Sequence, residues 1–283
     1  MTNRAIGPVT VFPIGLGVMP LATYEVADRA ERTIHAALDA GVTLIDTADA
    51  YGPDETTMGF SERQVATALG SYPGDTSNVL VATKGGHTRT AGGGWDLDGR
   101  PEYLKAACDA SLKALGVDSI GLYQYHRPDP KVPYAETMGA LAELRDAGKI
   151  RLIGISNANV ELIDIARSVL GDGGLASVQN ELSPVRRDDL AKVLPHCAAH
   201  GIAYLPWSPF GGIRAAGGLG AAQPAFGEIA AERGVSPYQV TLAWLLAQAP
   251  VVVPIPGASR PESTIDSVGA ASLKLTSQEL ARL

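Results

Sequence analysis

The chain has 283 residues, a length that α/β barrels often reach as one unit, and 46% of them are apolar, enough for a large core. A formal net charge of −7 argues against a nucleic-acid partner, whose recognition usually leaves a basic patch. The most apolar run, residues 243–255, is interrupted by Gln248 and by prolines, so no membrane-spanning segment is expected. Two cysteines and an N-terminus without an apolar signal sequence favour a reducing cytoplasm.

Short apolar runs alternate with longer segments of helical periodicity along the chain. This alternation predicts parallel strands covered by helices, because strands buried on both faces read as continuous apolar runs. The predicted strands are residues 14–18, 43–47, 79–84, 120–126, 150–156, 177–181, 203–208 and 251–257. The predicted helices are residues 29–40, 62–69, 101–115, 135–147, 160–170, 188–200 and 237–249, and several of them end at a glycine. Residues 209–226 are predicted to be a long loop.

Eight strand–helix units of this size predict a (β/α)₈ TIM barrel, α/β in class, that forms one domain over residues 1–283. The segment before the first strand is predicted to form a β-hairpin that closes the barrel bottom. A doubly wound open sheet would normally carry a G-x-G-x-x-G turn after an early strand. The nearest match, residues 171–176, follows a helix and precedes a strand, so the barrel is favoured.

Polar side chains of different chemical character end successive predicted strands. Asp46 ends the second strand, Lys84 the third and His126 the fourth. Active sites of such barrels are assembled at this end of the strands, and Lys and His are not turn-forming residues. Tyr51 follows Asp46 after five residues, whereas Asp49 between them is interpreted as a turn residue. The pattern predicts an active site rather than a set of turns.

Tyr51 suggests the chemistry of this site. A free Tyr, with a pKa near 10, is a weak proton donor at neutral pH, and a neighbouring ammonium lowers that pKa. We expect Asp46 to keep Lys84 protonated, Lys84 to tune Tyr51 as a general acid, and His126 to orient a carbonyl oxygen. Such a site delivers a proton to a carbonyl and needs a separate hydride source. A Schiff base on Lys84, as in an aldolase-like lyase, remains an alternative.

The sequence resembles the aldo-keto reductase family over nearly its whole length. The matching motifs are GLGVMP at 15–20, GVTLIDTADAYG at 41–52, SERQVATAL at 61–69, VATKGG at 81–86, LYQYH at 122–126, GISNA at 154–158, VQNELSP at 178–184, PWSPFGG at 206–212 and IPGASRPES at 255–263. The resemblance implies a catalytic tetrad of Asp46, Tyr51, Lys84 and His126. It implies no metal ion. It also raises a second alternative, a cofactor-binding regulatory module like the potassium-channel β-subunits of the same superfamily.

The resemblance further implies an NAD(P) site. Ser156, Asn157 and Gln179 would hold the nicotinamide amide, and Trp207 would stack on the ring, at a position that is more often Tyr. A loop would close over the pyrophosphate; its residues are Ser208, Pro209, Phe210, Gly211 and Gly212.

The adenine end departs from the family pattern. Gly257 stands where many members have Lys, which leaves Arg260, with Ser259, to meet a 2′-phosphate. We therefore expect NADPH to be preferred over NADH. Tyr24 and Trp95, on loops after the first and third strands, are expected to line a pocket for a small carbonyl substrate.

Overall fold

Seven parallel strands form one curled sheet. The computed structural model describes residues 2–23, 27–212 and 217–283. The strands of the sheet are β3 (Leu16–Gly17), β4 (Leu44–Asp46), β5 (Leu80–Gly85), β8 (Ile120–Tyr125), β9 (Ile150–Ser156), β10 (Leu175–Gln179) and β11 (Ala203–Tyr204), and neighbours in this order are hydrogen-bonded. Each corresponds to one of the first seven predicted strands, because each is an apolar run too short for a helix and bounded by turn residues.

An eighth segment, residues 251–258, closes the sheet into a barrel. Single parallel bridges join Tyr204 to Val252 on one side and Gly17 to Gly257 on the other. On the first side the amide of Val253 donates to the carbonyl of Tyr204. The predicted (β/α)₈ barrel is therefore confirmed, with an eighth strand that makes few ladder bonds.

Helices cover the outside of the barrel. The helices are Ala27–Asp39, Phe60–Ser71, Pro101–Leu115, Tyr134–Asp146, Val160–Leu170, Val193–Ala199, Leu219–Ala222, Pro224–Arg233, Pro237–Gln248, Pro261–Gly269 and Ser277–Arg282, with 3₁₀ turns at Met19–Leu21, Asp188–Leu190 and Ala270–Ser272. Local sequence sets their ends: Asn159 and Ser236 cap helix N-termini with their side chains, and Gly116 ends a helix with φ of 67°. No helix in the described residues is long and apolar enough to cross a membrane.

The predicted N-terminal hairpin is present as β1 (Arg4–Ile6) and β2 (Val9–Val11). Ile6 and Val11 are fully buried and belong to a cluster with the barrel-lining residues Leu44 and Leu80. The hairpin thus fills one end of the barrel and leaves the other end for the polar residues.

Two segments that were predicted to be loops contain regular structure. Residues after β5 form a second hairpin, β6 (His87–Arg89) and β7 (Trp95–Leu97), where only a loop was expected. The region 209–226 was expected to be a loop, but it contains the helix Leu219–Ala222 and the start of Pro224–Arg233. Because this region consists largely of Gly and Ala, it lacks the regular spacing of large apolar residues that would have indicated a helix.

Candidate active site

The polar strand ends meet at the open end of the barrel. Strand β5 lies between β4 and β8, so Asp46, Lys84 and the residue after β8, His126, come from three adjacent strands. Tyr51 reaches the same place from the loop after β4. Together with neighbouring loops, Asp46, Tyr51 and His126 line a cavity of about 770 Å³.

Lys84 is fully buried, and its ammonium group has three partners. Its Nζ donates to Asp46 Oδ1 at 2.6 Å, to the Thr47 carbonyl at 2.7 Å and to the Tyr51 hydroxyl at 3.3 Å. Burial by itself lowers the pKa of Lys84, but Asp46 and Tyr51 more than reverse this effect, so the pKa is raised. The amine is therefore held in its charged form.

Asp46 is held by a second set of donors. Its Oδ2 accepts from Gln179 Nε2 at 2.7 Å and from Gln124 Nε2 at 3.2 Å. Space for Gln124 comes from Gly154, where a Cβ atom would lie 2.8 Å from Gln124 Cγ and 2.4 Å from Ser177 Oγ. Both carboxylate oxygens are thus occupied by protein donors.

Tyr51 is half-buried, with its hydroxyl oxygen accepting from Lys84. The sequence predicted a lowered pKa for this phenol. Burial instead raises the pKa of Tyr51, and the nearby Lys84 charge only reduces that increase. The phenol is therefore protonated at neutral pH, and because its oxygen accepts from Lys84, its own hydrogen is free to be donated.

His126 is buried beside Tyr51, with the two rings edge to face and their centroids 5.7 Å apart. Burial and the charge of Lys84 place the pKa of His126 well below its ordinary value of 6.5. Its Nδ1 has no hydrogen-bond partner within the described residues. This imidazole is neutral at physiological pH and can donate one hydrogen bond without carrying charge.

The hairpin β6–β7 forms one wall of the cavity. Trp95, expected to line a pocket, does so while stacked on His87 with ring centroids 4.4 Å apart, and its own side chain is 44% exposed. The Arg89 guanidinium carbon lies over the Trp95 ring, 4.3 Å from its centroid. Tyr24, the other residue expected there, lies outside the described residues.

Sequence reasoning did not find three residues at this wall: His87, Arg89 and Arg127. Arg127 directly follows His126 and lines the cavity with His87. Position alone could have indicated them, because Arg127 extends the polar end of β8, and His87 and Arg89 lie soon after the end of β5. Burial and the charges of Arg127 and Arg89 lower the pKa of His87 to about 4.

Two buried acids behind the tetrad were also not anticipated. Asp49, interpreted from sequence as a turn residue, is 4% exposed, and neither of its carboxylate oxygens has a partner among the described residues. Glu62 is 1% exposed and accepts from Thr83. Burial, followed by the charge of Glu62, raises the pKa of Asp49 well above its ordinary value. These groups lie behind the strand and do not line the cavity.

The residues expected at the nicotinamide line the same cavity as the tetrad; they are Ser156, Asn157, Gln179, Trp207, Ser208, Pro209, Phe210, Gly211 and Gly212. Asn157 Nδ2 donates to the His126 carbonyl at 3.0 Å, which leaves its amide oxygen as an acceptor. Gln179 has its amide nitrogen on Asp46, so its oxygen is the atom left for a ligand.

Two backbone positions here have positive φ without being glycine. Asn157 has φ of 58° and Ser208 has φ of 48°. Such conformations cost free energy and are retained most often at ligand sites. In addition, the indole Nε1 of Trp207 is buried without a partner within the described chain. Strained backbone and orphaned polar atoms at one place indicate a ligand-binding surface.

An adjoining cavity of about 710 Å³ extends the site toward the last barrel strand. It shares Tyr51, Phe210 and Gly257 with the first cavity and continues to Ser259 and Arg260. Arg260 is exposed and donates to Ser263 Oγ at 3.2 Å. A Cβ atom at Gly257 would lie 2.9 Å from Pro20 Cγ, so the close approach of these two segments needs a glycine. The two cavities fit a long ligand with an amide at one end and an anionic group at the other, as a nicotinamide dinucleotide has.

Comparison with known proteins agrees with this geometry. A model of the Aldo/keto reductase family matches residues 13–283. An uncharacterised oxidoreductase of Schizosaccharomyces pombe is 33% identical, over 98% of this chain and 87% of its own.

Solved structures give the same result. The glycerol dehydrogenase AKR11B4 from Gluconobacter oxydans is 30% identical with a TM-score of 0.84, covering 98% of this chain and 92% of its own. An aldo/keto reductase from Klebsiella pneumoniae, solved with NADP and acetate, is 27% identical with a TM-score of 0.82, covering 99% of this chain and 93% of its own. The chain therefore belongs to the aldo/keto reductase family and is an NAD(P)H-dependent oxidoreductase.

Proposed function

We propose that this protein reduces an aldehyde or ketone to the alcohol, reversibly, with NADPH as the hydride donor. The observation that carries the proposal is the arrangement of Tyr51, Lys84 and Asp46, in which a protonated phenol is backed by a buried ion pair 2.6 Å long. A nicotinamide cofactor, when bound, supplies the hydride that this arrangement lacks.

Tyr51 acts as the general acid. Its hydroxyl faces the cavity and accepts from Lys84, so the ammonium stabilises the phenolate that forms when the proton leaves for the carbonyl oxygen. Neutral His126 donates a hydrogen bond to the same oxygen and orients it without competing as an acid. Asp46 keeps Lys84 charged throughout. Reversal of these steps oxidises an alcohol.

Different residues of the cavity would hold different parts of the cofactor. Asn157 and Gln179 would offer amide oxygens to the carboxamide, Trp207 would offer a flat ring surface, and residues 208–212 would cover the diphosphate. Support comes from the strained φ values of Asn157 and Ser208, which hold these groups toward the cavity.

The test of the reaction is Tyr51→Phe. The variant keeps the ring and loses the proton, so we expect kcat to fall by about two to four orders of magnitude while the cofactor Kd stays unchanged. Carbonyl-dependent NADPH oxidation and fluorescence titration of the cofactor measure the two quantities. Phe substitution at the remote Tyr72, whose hydroxyl pairs with Asp39 on the outer helices, is the matched control. Full turnover in Tyr51→Phe would remove the proposed acid.

Arg260 and Ser259 support the preference for NADPH. The Arg260 guanidinium is exposed at the far end of the second cavity, where it can pair with a 2′-phosphate. We expect Arg260→Ala to reduce the NADPH/NADH ratio of kcat/KM by about tenfold or more, and Arg151→Ala, an exposed arginine at the other end of the barrel, to leave it unchanged. An unchanged ratio in Arg260→Ala would contradict the assignment.

The two alternatives receive less support. A Schiff-base mechanism needs a neutral, accessible amine, whereas Lys84 is fully buried, ion-paired and of raised pKa. Borohydride trapping on Lys84 would reverse this judgement. A purely regulatory module would not need the proton donor, so the effect of Tyr51→Phe on turnover separates it from the enzyme.

We also infer that residues 1–283 act as one domain in the cytoplasm, on a small-molecule substrate, without nucleic acid or membrane as partner. Free, buried Cys108 and Cys197 are compatible with a reducing compartment, and the net charge of −7 disfavours nucleic acid.

A further inference from the structure

Arg127 occupies a position beside the reacting groups. It directly follows His126, is half-buried, and lines the larger cavity together with Tyr51, His87 and Trp95. Its charge acts on the pKa values of Tyr51, His87 and His126 alike, which places the guanidinium within electrostatic reach of all three.

Among the described residues, no acid forms an ion pair with Arg127. It takes part in none of the ion pairs found in the described part of the chain. Asp46 is the one acidic residue among the described residues lining this cavity. Both of its oxygens are already used, by Lys84 on one side and by Gln124 and Gln179 on the other. Arg127 is thus an uncompensated charge in a partly enclosed site.

A second cation reinforces this charge. The Arg89 guanidinium stacks on Trp95, and its Nε is buried without a hydrogen-bond partner among the residues described. Arg89 and Arg127 both lower the pKa of His87, which lies between them and stays neutral. Two guanidinium groups, Arg89 and Arg127, therefore give this wall of the site a positive charge.

We propose that the substrate is an anionic carbonyl compound, whose carboxylate or phosphate group pairs with Arg127 while its carbonyl lies at Tyr51 and His126. This inference rests on the proposed reductase function and adds the substrate class. A half-buried guanidinium has lost part of its hydration, and an anion restores those interactions through two parallel hydrogen bonds.

The test compares related aldehydes with and without an anionic group. The first pair is 4-carboxybenzaldehyde and 4-formylbenzamide, which have the same shape, and the second is glyceraldehyde 3-phosphate and glyceraldehyde. We expect the anionic member to have a higher kcat/KM by about tenfold or more in at least one pair. Preference in the first pair alone identifies a carboxylate, and in the second alone a phosphate. A ratio near one in both pairs overturns the proposal.

Variants then locate the effect. In Arg127→Gln the anionic-to-neutral ratio should fall by about ten- to a hundredfold, Arg127→Lys should restore part of it, and the remote Arg151→Gln should not change it. Cofactor Kd, measured by fluorescence, should be the same in all four proteins. A raised cofactor Kd in Arg127→Gln would show that Arg127 serves the cofactor and would refute the assignment.

The failure of this proposal can be distinguished from failure of the reductase function. If neutral aldehydes are reduced without a charge preference, only the substrate class is wrong. If no aldehyde of either kind is reduced while the cofactor still binds, the proposed function itself is wrong.

Discussion

Replacing Asp46 with Asn tests how the buried ion pair stabilises the protein. The Asn side chain has nearly the same shape and keeps one acceptor oxygen, but it leaves the Lys84 ammonium, which is 0% exposed, without a negative counter-charge beside the Thr47 carbonyl and the Tyr51 hydroxyl. Removing one member of a buried pair typically costs about 3–5 kcal/mol, because the other charge remains desolvated. A loss of this size is a large part of the usual stability of a domain, about 5–15 kcal/mol.

The pH sets an upper limit to this cost. Lys84 can escape by losing its proton, which costs about 1.4 kcal/mol for every pH unit below its ordinary pKa of 10.5. At about pH 7 this limit is ~5 kcal/mol, and near pH 9.5 it is ~1.4 kcal/mol. In the wild type the pKa of Lys84 is raised. The charged Lys84 therefore makes its full contribution to the free energy of unfolding below pH 10.5, and this contribution is lost only at higher pH. The penalty of Asp46→Asn should therefore shrink as the pH rises.

Urea unfolding of both proteins at about pH 7 and about pH 9.5 measures this difference. The double variant Asp46→Asn/Lys84→Met removes the orphaned charge, so it should be more stable than Asp46→Asn at neutral pH and its difference from wild type should not depend on pH. A penalty below about 1 kcal/mol at pH 7, or one that is equal at both pH values, would show that Asp46 does not stabilise a buried Lys84 charge.

Other outcomes follow from the same geometry. Gly154→Ala should lower the free energy of unfolding by about 1–3 kcal/mol in a urea titration, because the new methyl overlaps Gln124; full wild-type stability would mean that this interior has unfilled space. The pKa of His87 is about 4 in the folded chain and 6.5 in the unfolded chain, so the unfolded chain binds a proton more readily between these values. The free energy of unfolding is therefore unaffected by His87 above pH 6.5 and decreases as the pH falls toward 4. His87→Gln should make unfolding less acid-sensitive in that window, and an identical pH profile would exclude this role. Burial raises the pKa of both Cys108 and Cys197 to about 12, so neither thiol should react with Ellman's reagent until urea unfolds the chain, and rapid labelling of the native protein would contradict their burial.

Much of the fold could be predicted from local sequence. Residues 44–46 and 120–125 are buried on both faces because helices cover the sheet outside and side chains fill the barrel inside, and their mostly apolar sequence indicates this without the structure. The barrel-end positions of Asp46, Lys84 and His126 follow directly, since each ends such a run. What could not be predicted is β6–β7, because the glycines between Thr90 and Trp95 give no apolar alternation.

The electrostatics of the site were harder to predict than its residues. A sequence places Lys84 near Tyr51, but it does not give the depth of burial, which here outweighs the Lys84 charge and raises the phenol pKa. Asp49 shows the same limitation: its residue type suggests a turn, and only packing shows that it is enclosed. Arg127 was visible in the sequence as the neighbour of His126, but its lack of a counterion among the described residues depends on how Gln124 and Gln179 use Asp46, the acid that lines the cavity.

The segment that closes the barrel, residues 251–258, contains prolines that remove hydrogen-bond donors on the side facing β3. The carbonyls of Pro254 and Pro256 accept from the amides of Gly15 and Gly17, but prolines cannot donate in return. The amide of Ala258 does donate to the Gly17 carbonyl, so the seam lacks the bond that Pro256 cannot donate, and its amides should exchange with solvent sooner than those between β8 and β9. Gly17 and Gly257, on either side of the seam, both line the larger cavity. A dinucleotide bound there would stabilise this seam. We therefore expect deuterium uptake at the amides of Gly15 and Gly17 to become slower when the cofactor binds.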